Sequence, residues 1–273
     1  MNIEVLVATM NQKDFSLIKK MNLHGDAVII NQCGKEEYTE IDENNHKIKF
    51  ISCDEKGLSK SRNKAINNAT GDICIIADDD VTYSDDYIEK IRQAYLKYPD
   101  ADIIAFDVPS SNLERPTTVI DKEGKLGYLK SMKLASFQLT FKRQSFIENN
   151  INFNELFGAG SKYKMGEENI LLFECLRKNL NLVYCKDKIG IVNHEESTWF
   201  SGFDNKFFSD MGAIYYEMSS KLSTLLILQY SIRKYKLYKN NLTFFSALTS
   251  MFDGRKSYKN FCIASKTNDK DVR

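Results

Sequence analysis

Short apolar runs alternate with helix-periodic stretches along the first hundred residues of the chain. Five runs rich in Ile, Val and Ala predict buried strands, and they lie at 3–8, 26–31, 48–53, 73–78 and 102–107. Between them, residues 58–70 carry one apolar helical face and stop at Gly71, and residues 84–98 predict a second helix that stops at Pro99. Strands that alternate with helices in this way predict an α/β fold with a mostly parallel central sheet, which helices flank on both faces.

The pattern changes after the fifth predicted strand. Residues 108–135 hold two prolines and many polar positions, which predicts loops, and a strand resumes in "SFQLTFKR". A helix is expected to start near Glu167, and two short strands follow it in "LVYC" and "IGIV". From about residue 205 onward the sequence is helical in pattern and rich in aromatic residues. We therefore expect an α/β domain at 1–204 and a helical C-terminal extension at 205–273.

The composition narrows the class of protein. Basic and acidic residues nearly cancel, with 38 Lys and Arg against 37 Asp and Glu, so no global field attracts nucleic acid. The six cysteines include no CxxC pair, which favours reduced thiols over a disulfide framework or a zinc site. The first apolar run has neither a basic lead nor a cleavage site, so we interpret it as a strand and not as a signal peptide. Because no apolar run reaches about 18 residues, we expect a cytoplasmic protein without a transmembrane helix.

Three consecutive carboxylates, Asp78, Asp79 and Asp80, end the apolar run of the fourth predicted strand. Ligands of parallel sheets bind beyond the carboxyl ends of the strands, so these side chains are expected to point into a ligand crevice. Adjacent carboxylates repel one another and raise one another's pKa, so a positive group is expected beside them. The acidic pair that follows needs no ligand, because Ser84 is expected to cap a helix that this pair opens.

Three segments of the sequence occur in an order that carries a family resemblance. "VATMNQ" ends the first predicted strand, "KGLSKSRNKAINNATGDICIIADDD" leads into the acidic triple, and "FGAGSKYKMGEEN" leads into the helix near Glu167. Over residues 3–200 the sequence resembles the inverting glycosyltransferases of family 2, of the bacterial surface-polysaccharide type. The resemblance implies the GT-A fold, with a nucleotide-sugar half at about 1–107 and an acceptor half at about 108–204.

The resemblance also implies a divalent cation, Mn²⁺ or Mg²⁺, at the acidic triple. In the family the first Asp of the motif contacts the nucleotide sugar and the last holds the metal, so Asp78 would face the ribose and Asp80 the metal. Asp79 would shape the turn or assist either neighbour, and Asp78 is a second candidate metal ligand. His194 is a third candidate, because some members supply a histidine from this late segment and imidazole beside carboxylates suits Mn²⁺. The alternative for His194 is a loop histidine bonded to a nearby glutamate or to the backbone.

A pair of glutamates, Glu167 and Glu168, is expected to supply the general base that takes the proton from the acceptor hydroxyl. Family members commonly have Glu-Asp here, with the second residue as the base, which maps to Glu168. Since this chain has Glu where Asp is usual, Glu167 is the second candidate. Carboxylates at the start of a helix are also favoured by the helix dipole, which is the alternative without catalysis.

Six further residues are expected on the nucleotide side of the site: Thr9, Asn11, Asn31, Asp54, Gly57 and Arg62. Family members often have an Asp after the second strand that reads the base or the ribose, whereas this chain has Asn31, so the nucleotide stays open. A turn at Gly57 lets the backbone approach the base, and Arg62 is expected to neutralise phosphate or to pair with Asp78. The alternative for Arg62 is an exposed position on a helix surface.

The reaction that the resemblance implies is a single displacement. A sugar would move from a nucleotide-diphosphate donor, expected to be UDP-linked, to a hydroxyl of a glycan or lipid-linked glycan. The basic, leucine-rich segment 221–239 adds the expectation of peripheral contact with the inner face of the cell membrane. The alternative for this segment is a helix that packs on the domain.

Two other functions compete with sugar transfer. A nucleotidyltransferase of related fold usually needs a glycine-rich phosphate loop after its first strand, and "ATMNQKDF" contains no glycine. A non-catalytic module that binds nucleotide or glycan would need neither the acidic triple nor the glutamate pair. Both alternatives therefore explain fewer of these residues.

Overall fold

The structure is a computed structural model that describes residues 1–43, 45–193 and 202–271, with side chains up to residue 265. Its strands are β1 (Ile3–Met10), β2 (Asp26–Gln32), β3 (Glu37–Glu43), β4 (His46–Cys53), β5 (Ile73–Asp78), β6 (Val81–Tyr83), β7 (Ile103–Asp107), β8 (Gly124–Lys125), β9 (Leu139–Lys142), β10 (Leu182–Lys188) and β11 (Gly190–Val192). Its helices are α1 (Ser16–Lys20), α2 (Leu58–Asn68), α3 (Tyr87–Lys97), α4 (Tyr128–Ser131), α5 (Arg143–Glu148), α6 (Glu167–Arg177), α7 (Asn205–Met218), α8 (Ser223–Arg233), α9 (Tyr235–Tyr238) and α10 (Phe244–Asp271).

Nine of these strands form one sheet in the order β3-β4-β2-β1-β5-β9-β7-β10-β8. The strands β4, β2, β1 and β5 are consecutive parallel neighbours. Strand β9 lies antiparallel between β5 and β7, so β7, and β10 with it, runs in the direction of the first four. Six of the nine strands therefore share one direction, and the mostly parallel sheet predicted from the sequence is confirmed.

The central strands are apolar at nearly every position because both faces of the sheet are covered. On one face, Val5 of β1 belongs to a buried cluster that includes Ile91 of α3. On the other face, the neighbouring Leu6 belongs to a second cluster with Ala65 of α2 and Leu171 of α6. The period of two along each strand thus divides consecutive side chains between two cores.

Strand β3 and the start of α3 differ from what the sequence predicted. The segment "EYTEIDE" is polar, and it forms an edge strand because it pairs with β4 in register from Glu37 opposite Ser52 to Glu43 opposite His46. Helix α3 begins at Tyr87, and the expected side-chain cap from Ser84 is wrong. The Ser84 hydroxyl donates to Oδ1 of Asp86 over 2.7 Å instead, and Asp86 is the residue that directly precedes the helix.

The described residues separate into two compact units. The first contains the sheet and its helices, from the described residues of 1–155 and 167–193, and the second contains 156–166 and 202–271. Helix α7 opens with a side-chain cap, because Oδ1 of Asp204 accepts the N–H of Phe207 over 2.7 Å. Of the helices that the structure describes, none combines the length and apolar character needed to cross a bilayer.

Two glycines allow α7 and α10 to approach closely within the second unit. A Cβ at Gly212 would lie 1.9 Å from the carbonyl oxygen of Met251, and one at Gly254 would lie 1.9 Å from that of Ser209. Both clashes are with backbone, which cannot rotate away as a flexible side chain does. The helix crossing therefore depends on these two positions having no side chain.

Replacing Gly254 by Ala is expected to lower the free energy of unfolding by about 1–3 kcal/mol or more, because α10 must move away from α7. Thermal unfolding followed by circular dichroism measures the loss. The matched control is Gly127→Ala, since a Cβ there meets no atom within 4 Å and the backbone φ of −110° suits alanine. Equal stability of the two variants would contradict the close crossing.

Candidate active site

The carboxyl ends of the four parallel strands bring several of the predicted site residues to one edge of the sheet. Thr9 near the end of β1 is in register with Asn31 of β2, and Asn31 is in register with Ser52 of β4. On the other side of β1, Asp78 closes β5 opposite Ala8. In parallel sheets this edge is where ligands bind.

The acidic triple lies where β5 turns into β6, and its three carboxylates have different environments. Asp78 is the last residue of β5, and Asp79 and Asp80 form the turn. Oδ2 of Asp79 accepts a hydrogen bond of 2.5 Å from the hydroxyl of Thr9, and that hydroxyl accepts one of 2.8 Å from Gln12. The triple is therefore tied to the end of β1 through Asp79.

Arg62 of α2 is the positive group that was expected beside the acidic triple. Its Nη2 donates to Oδ1 of Asp78 over 2.7 Å and to the hydroxyl of Ser136 over 2.6 Å. Its Nη1 donates to Oε1 of Glu167 over 2.9 Å. The guanidinium is only 2% exposed, so the exposed position considered as an alternative for Arg62 is wrong, and the pairing with Asp78 is confirmed.

Burial disfavours the charged guanidinium, but the carboxylates of Asp78 and Glu167 outweigh it, and the pKa of Arg62 is raised above its ordinary value. The arginine thus stays charged while it holds two carboxylates that come from different parts of the fold. This contact brings the start of α6 to the acidic triple. We name Asp78, Arg62 and Glu167 the arginine bridge.

The two glutamates at the start of α6 differ in their partners. Glu167 is buried and belongs to the arginine bridge. Oε1 of the neighbouring Glu168 accepts a hydrogen bond of 2.9 Å from the side chain of Asn169. Burial of the carboxyl, followed by the charge of Glu167, raises the pKa of Glu168 to about 8. Glu168 therefore holds a proton more tightly than an ordinary glutamate and releases it near neutral to mildly basic pH.

Asp80 carries a buried carboxylate oxygen. Its Oδ1 is buried and has no hydrogen-bond partner among the described residues. Burial, followed by the charges of Asp78 and Asp79, raises the pKa of Asp80 to about 7. A buried carboxylate oxygen of this kind costs free energy unless a cation or a donor reaches it.

The described residues contain no group of three acidic, histidine or cysteine side chains placed to hold a metal ion. His194 lies outside the described residues, so its role stays a prediction. A magnesium-type ion is commonly held by one or two carboxylates together with substrate phosphates and waters. The open oxygen of Asp80 fits that mode of binding, in which the donor diphosphate would complete the coordination.

A cavity of about 430 Å³ lies beside the same strand ends. Twelve residues line it: Asn11, Gln12, Lys13, Asp14, Phe15, Asn31, Cys33, Lys35, Glu37, Thr39, Phe50 and Ser52. Asn31 fixes one wall, because its amide accepts from the backbone N–H of Gln12 over 2.9 Å and donates to the backbone oxygen of Gln12 over 3.0 Å. Gln12 in turn bonds Thr9, so the cavity wall and the acidic triple belong to one hydrogen-bond network.

The other predicted nucleotide contacts lie at the same edge of the sheet. Gly57 has a φ of +123°, which favours glycine, and its carbonyl oxygen accepts from Gln32 over 3.0 Å just before α2 begins. Asp54 follows β4 and is exposed, with its backbone N–H bonded to Glu36. Asn11 lines the cavity with a φ of +55°.

Sequence reasoning missed two residues of the site. Gln12 is the last residue of the segment "VATMNQ". Its side-chain amide donates to the hydroxyl of Thr9 and so joins the hydrogen-bond network at the end of β1. Ser136 opens the 3₁₀ turn before β9 and reaches Arg62 from 74 positions along the chain. Neither residue type is distinctive by itself, so only the fold identifies them.

The chain matches one family model and is similar in fold to solved protein structures. The family model described as glycosyl transferase family 2 matches residues 25–164, just over half of the chain. The structure of S. aureus TarS 1–349 in complex with UDP-GlcNAc is similar with a TM-score of 0.63 at 16% identity, over 88% of this chain and 74% of that chain. The UDP complex of the same fragment has a TM-score of 0.60 at 16% identity, over 88% and 74%. No curated protein sequence matches this chain.

At this level of identity the similarity to TarS concerns the fold. The long, mostly parallel sheet flanked by helices is shared over most of the chain. The α/β GT-A architecture expected from the sequence is therefore confirmed.

Proposed function

The chain belongs to glycosyl transferase family 2, and we propose that it transfers a sugar from a UDP-sugar to a hydroxyl of a glycan, free or lipid-linked, by a metal-dependent single displacement with inversion. The arginine bridge is the observation that carries this proposal. Through it, the carboxylates at the end of β5 and the glutamate pair of α6 form one site. A donor-binding side and a base are the two parts that such a displacement needs.

We assign the base to Glu168. Glu167 is held by Arg62, and proton uptake by Glu167 would break a buried ion pair. Glu168 forms no ion pair with any residue that the structure describes, and its raised pKa matches proton transfer near physiological pH. In the reaction, Glu168 takes the proton of the acceptor hydroxyl while the oxygen of that hydroxyl attacks C1 of the sugar. The bond between C1 and the diphosphate oxygen breaks, and its electron pair leaves with the diphosphate.

Asp80 is the proposed principal ligand of Mn²⁺ or Mg²⁺, with Asp78 and His194 as the further candidates. The open, buried Oδ1 of Asp80 supports this role. A bound divalent cation supplies charge neutralisation for the leaving diphosphate. Asp78 has one oxygen engaged by Arg62, so its contribution to the ion or to the ribose would come from its second oxygen.

UDP is the nucleotide that the comparisons favour, because TarS is found with UDP-GlcNAc and with UDP. We place the nucleoside in the 430 Å³ cavity, next to Asn11 and Asn31. Phe15 and Phe50 provide an aromatic wall there, with ring centroids 5.0 Å apart. Both polar functions of the Asn31 side chain bond Gln12, so we assign Asn31 to shaping the cavity and Thr9 to holding Asp79.

Thermal unfolding with UDP and Mn²⁺ tests the donor site. At free UDP roughly one hundred times its Kd, the native protein is expected to gain about 2.7 kcal/mol of stability. The Asp80→Asn variant should lose the part of this gain that requires Mn²⁺. The Asp85→Asn variant is the control, since Asp85 lies beyond β6 and its side chain is 95% exposed.

Turnover then separates the competing functions. With a UDP-sugar and an acceptor hydroxyl, sugar transfer releases UDP, whereas a nucleotidyltransferase would release pyrophosphate. Stabilisation by UDP without any turnover, together with indifference to Glu168→Gln, would favour a binding module. The absence of stabilisation by UDP, GDP and CMP would overturn the proposed donor class.

A further inference from the structure

The outer face of α8 is apolar although it points to solvent. We define this outer face by four residues at spacings of three and four: Leu222, Leu225, Leu228 and Ile232. All four are exposed, with Leu225 at 63% and Ile232 at 68%. The opposite side of the helix packs inside its own unit, where Leu226 and Ile227 are buried. A surface helix normally turns its polar side outward, so this helix has two apolar sides.

Exposed apolar residues continue beyond α8 in the same unit. Leu237 of α9 is 57% exposed, and Phe245 in the first turn of α10 is 75% exposed. Scattered surface leucines are ordinary, but several exposed apolar side chains on three consecutive helices favour an interaction surface. The second unit therefore presents apolar side chains that its own packing does not use.

Basic residues accompany the outer face, and acidic residues are absent from this stretch of sequence. Five cations lie in the same segment of the sequence: Lys221, Arg233, Lys234, Lys236 and Lys239. No Asp or Glu occurs between Glu217 and Asp253. Among the described residues, no carboxylate forms an ion pair with any of these five side chains. The segment that carries the outer face is thus both rich in exposed apolar residues and positively charged.

We propose that the outer face of α8, with its five flanking cations, docks the protein on an anionic lipid bilayer. Leucine and isoleucine side chains enter the boundary between headgroups and acyl chains, while the lysines and the arginine meet the anionic headgroups. None of the described helices is suited to cross the bilayer, so the contact is peripheral.

A second copy of the chain fits the same surface less well. In a two-fold dimer the same patch lies on both partners, so the five cations of each copy would face those of the other. Like charges across an interface oppose association. An anionic bilayer satisfies both the apolar and the positive character of the surface.

Flotation of the full chain with vesicles tests the docking. Vesicles of phosphatidylcholine with about one quarter phosphatidylglycerol are expected to bind the protein, and added salt should weaken the binding. The Leu225→Gln/Ile232→Gln variant should bind these vesicles about tenfold more weakly. The Lys234→Gln/Lys236→Gln/Lys239→Gln variant should lose the preference for vesicles with phosphatidylglycerol over vesicles of phosphatidylcholine alone.

The control for the apolar substitutions is Leu96→Gln, because Leu96 is 64% exposed on α3 of the first unit. It should bind vesicles like the unaltered chain. Equal binding by Leu225→Gln/Ile232→Gln and the unaltered chain would overturn the proposal, as would failure to bind vesicles. A concentration-dependent dimer that the double substitution abolishes would assign the surface to a second copy and overturn bilayer docking. Stabilisation by UDP does not involve this surface, so it separates failure of docking from failure of the proposed sugar transfer.

Discussion

Replacing Glu168 by Gln is expected to lower kcat roughly a hundredfold to ten-thousandfold while UDP still stabilises the protein. The amide keeps the size of the side chain and its ability to accept from Asn169, but it cannot take the acceptor proton. Release of UDP from a UDP-sugar measures kcat, and thermal unfolding with UDP measures the retained donor site. A variant that turns over at the rate of the unaltered chain would contradict the assignment of the base.

The pH dependence gives the same assignment a second test. The base must be a carboxylate, and the pKa of Glu168 is raised to about 8 by burial and by Glu167. The rate is therefore expected to rise with pH through about 8 and to level off above it. In Glu168→Gln the residual rate should lose this rise. Glu167→Gln is the matched variant: it leaves the base in place but removes a charge that raises the pKa of Glu168, so the rise in rate should be retained and move to lower pH.

The stability of Glu168→Gln is expected to change in the opposite direction from its activity. Since the folded-state pKa of Glu168 is raised from 4.5, its contribution to stability is fully present below about pH 4.5 and is lost as pH rises through about 8. Glutamine carries no charge to bury, so the variant should unfold at a higher temperature than the unaltered chain near pH 9. At about pH 4 the two unfolding temperatures should be close. A lower unfolding temperature for the variant at high pH would contradict the burial of this carboxyl.

Replacing Arg62 by Met is expected to lower the free energy of unfolding by about 3–5 kcal/mol and to abolish sugar transfer. The substitution leaves Glu167 buried without its cation and releases Asp78 from the position it holds at the end of β5. Breaking a buried ion pair on one side costs more than removing both partners, because the remaining charge stays desolvated. Denaturant unfolding measures the stability, and UDP release measures the activity.

The double variant Arg62→Met/Glu167→Gln separates charge from packing. It should recover part of the stability lost in Arg62→Met, since it removes the charge that was left unpaired. Arg92→Met is the control for losing an arginine, because Arg92 pairs with Glu89 on the exposed surface of α3, where such pairs contribute little. No recovery in the double variant would mean that the arginine acts through packing, for example through Phe153, whose ring centroid lies 5.3 Å from its guanidinium carbon.

The contacts of the arginine bridge bear on the roles that the sequence left open for its members. The sequence offered Arg62 as a phosphate ligand or as a partner of Asp78, and the fold selects the partner. The sequence offered either glutamate of α6 as the base, and the engagement of Glu167 with Arg62 favours Glu168 for that role. The nucleotide assignments of Asn11, Asp54 and Gly57 stay predictions, because a position at this edge of the sheet does not by itself show a contact with the nucleotide.

The sequence by itself determined the buried strands and the place of the acidic triple. Both depend on short-range patterns. A strand that is covered on two faces is recognised from its own run of apolar residues, and that run also shows where the carboxyl end of the strand lies. The periodic helices α2 and α6 followed for the same reason. The polar edge strand β3 was not predicted from the sequence, because it forms by pairing with β4 and has no apolar pattern of its own.

Only the tertiary structure decided which charges meet. Arg62 reaches Glu167 across 105 positions of the chain, and Thr9 reaches Asp79 across 70. No local pattern encodes such pairs, because hydrogen bonds between side chains depend on how whole elements pack and on how much water remains between them. The same packing leaves one oxygen of Asp80 without a partner among the described residues and raises the pKa of Glu168. The residue types at the strand ends therefore indicate the kind of chemistry, but the fold determines which of these side chains contact one another.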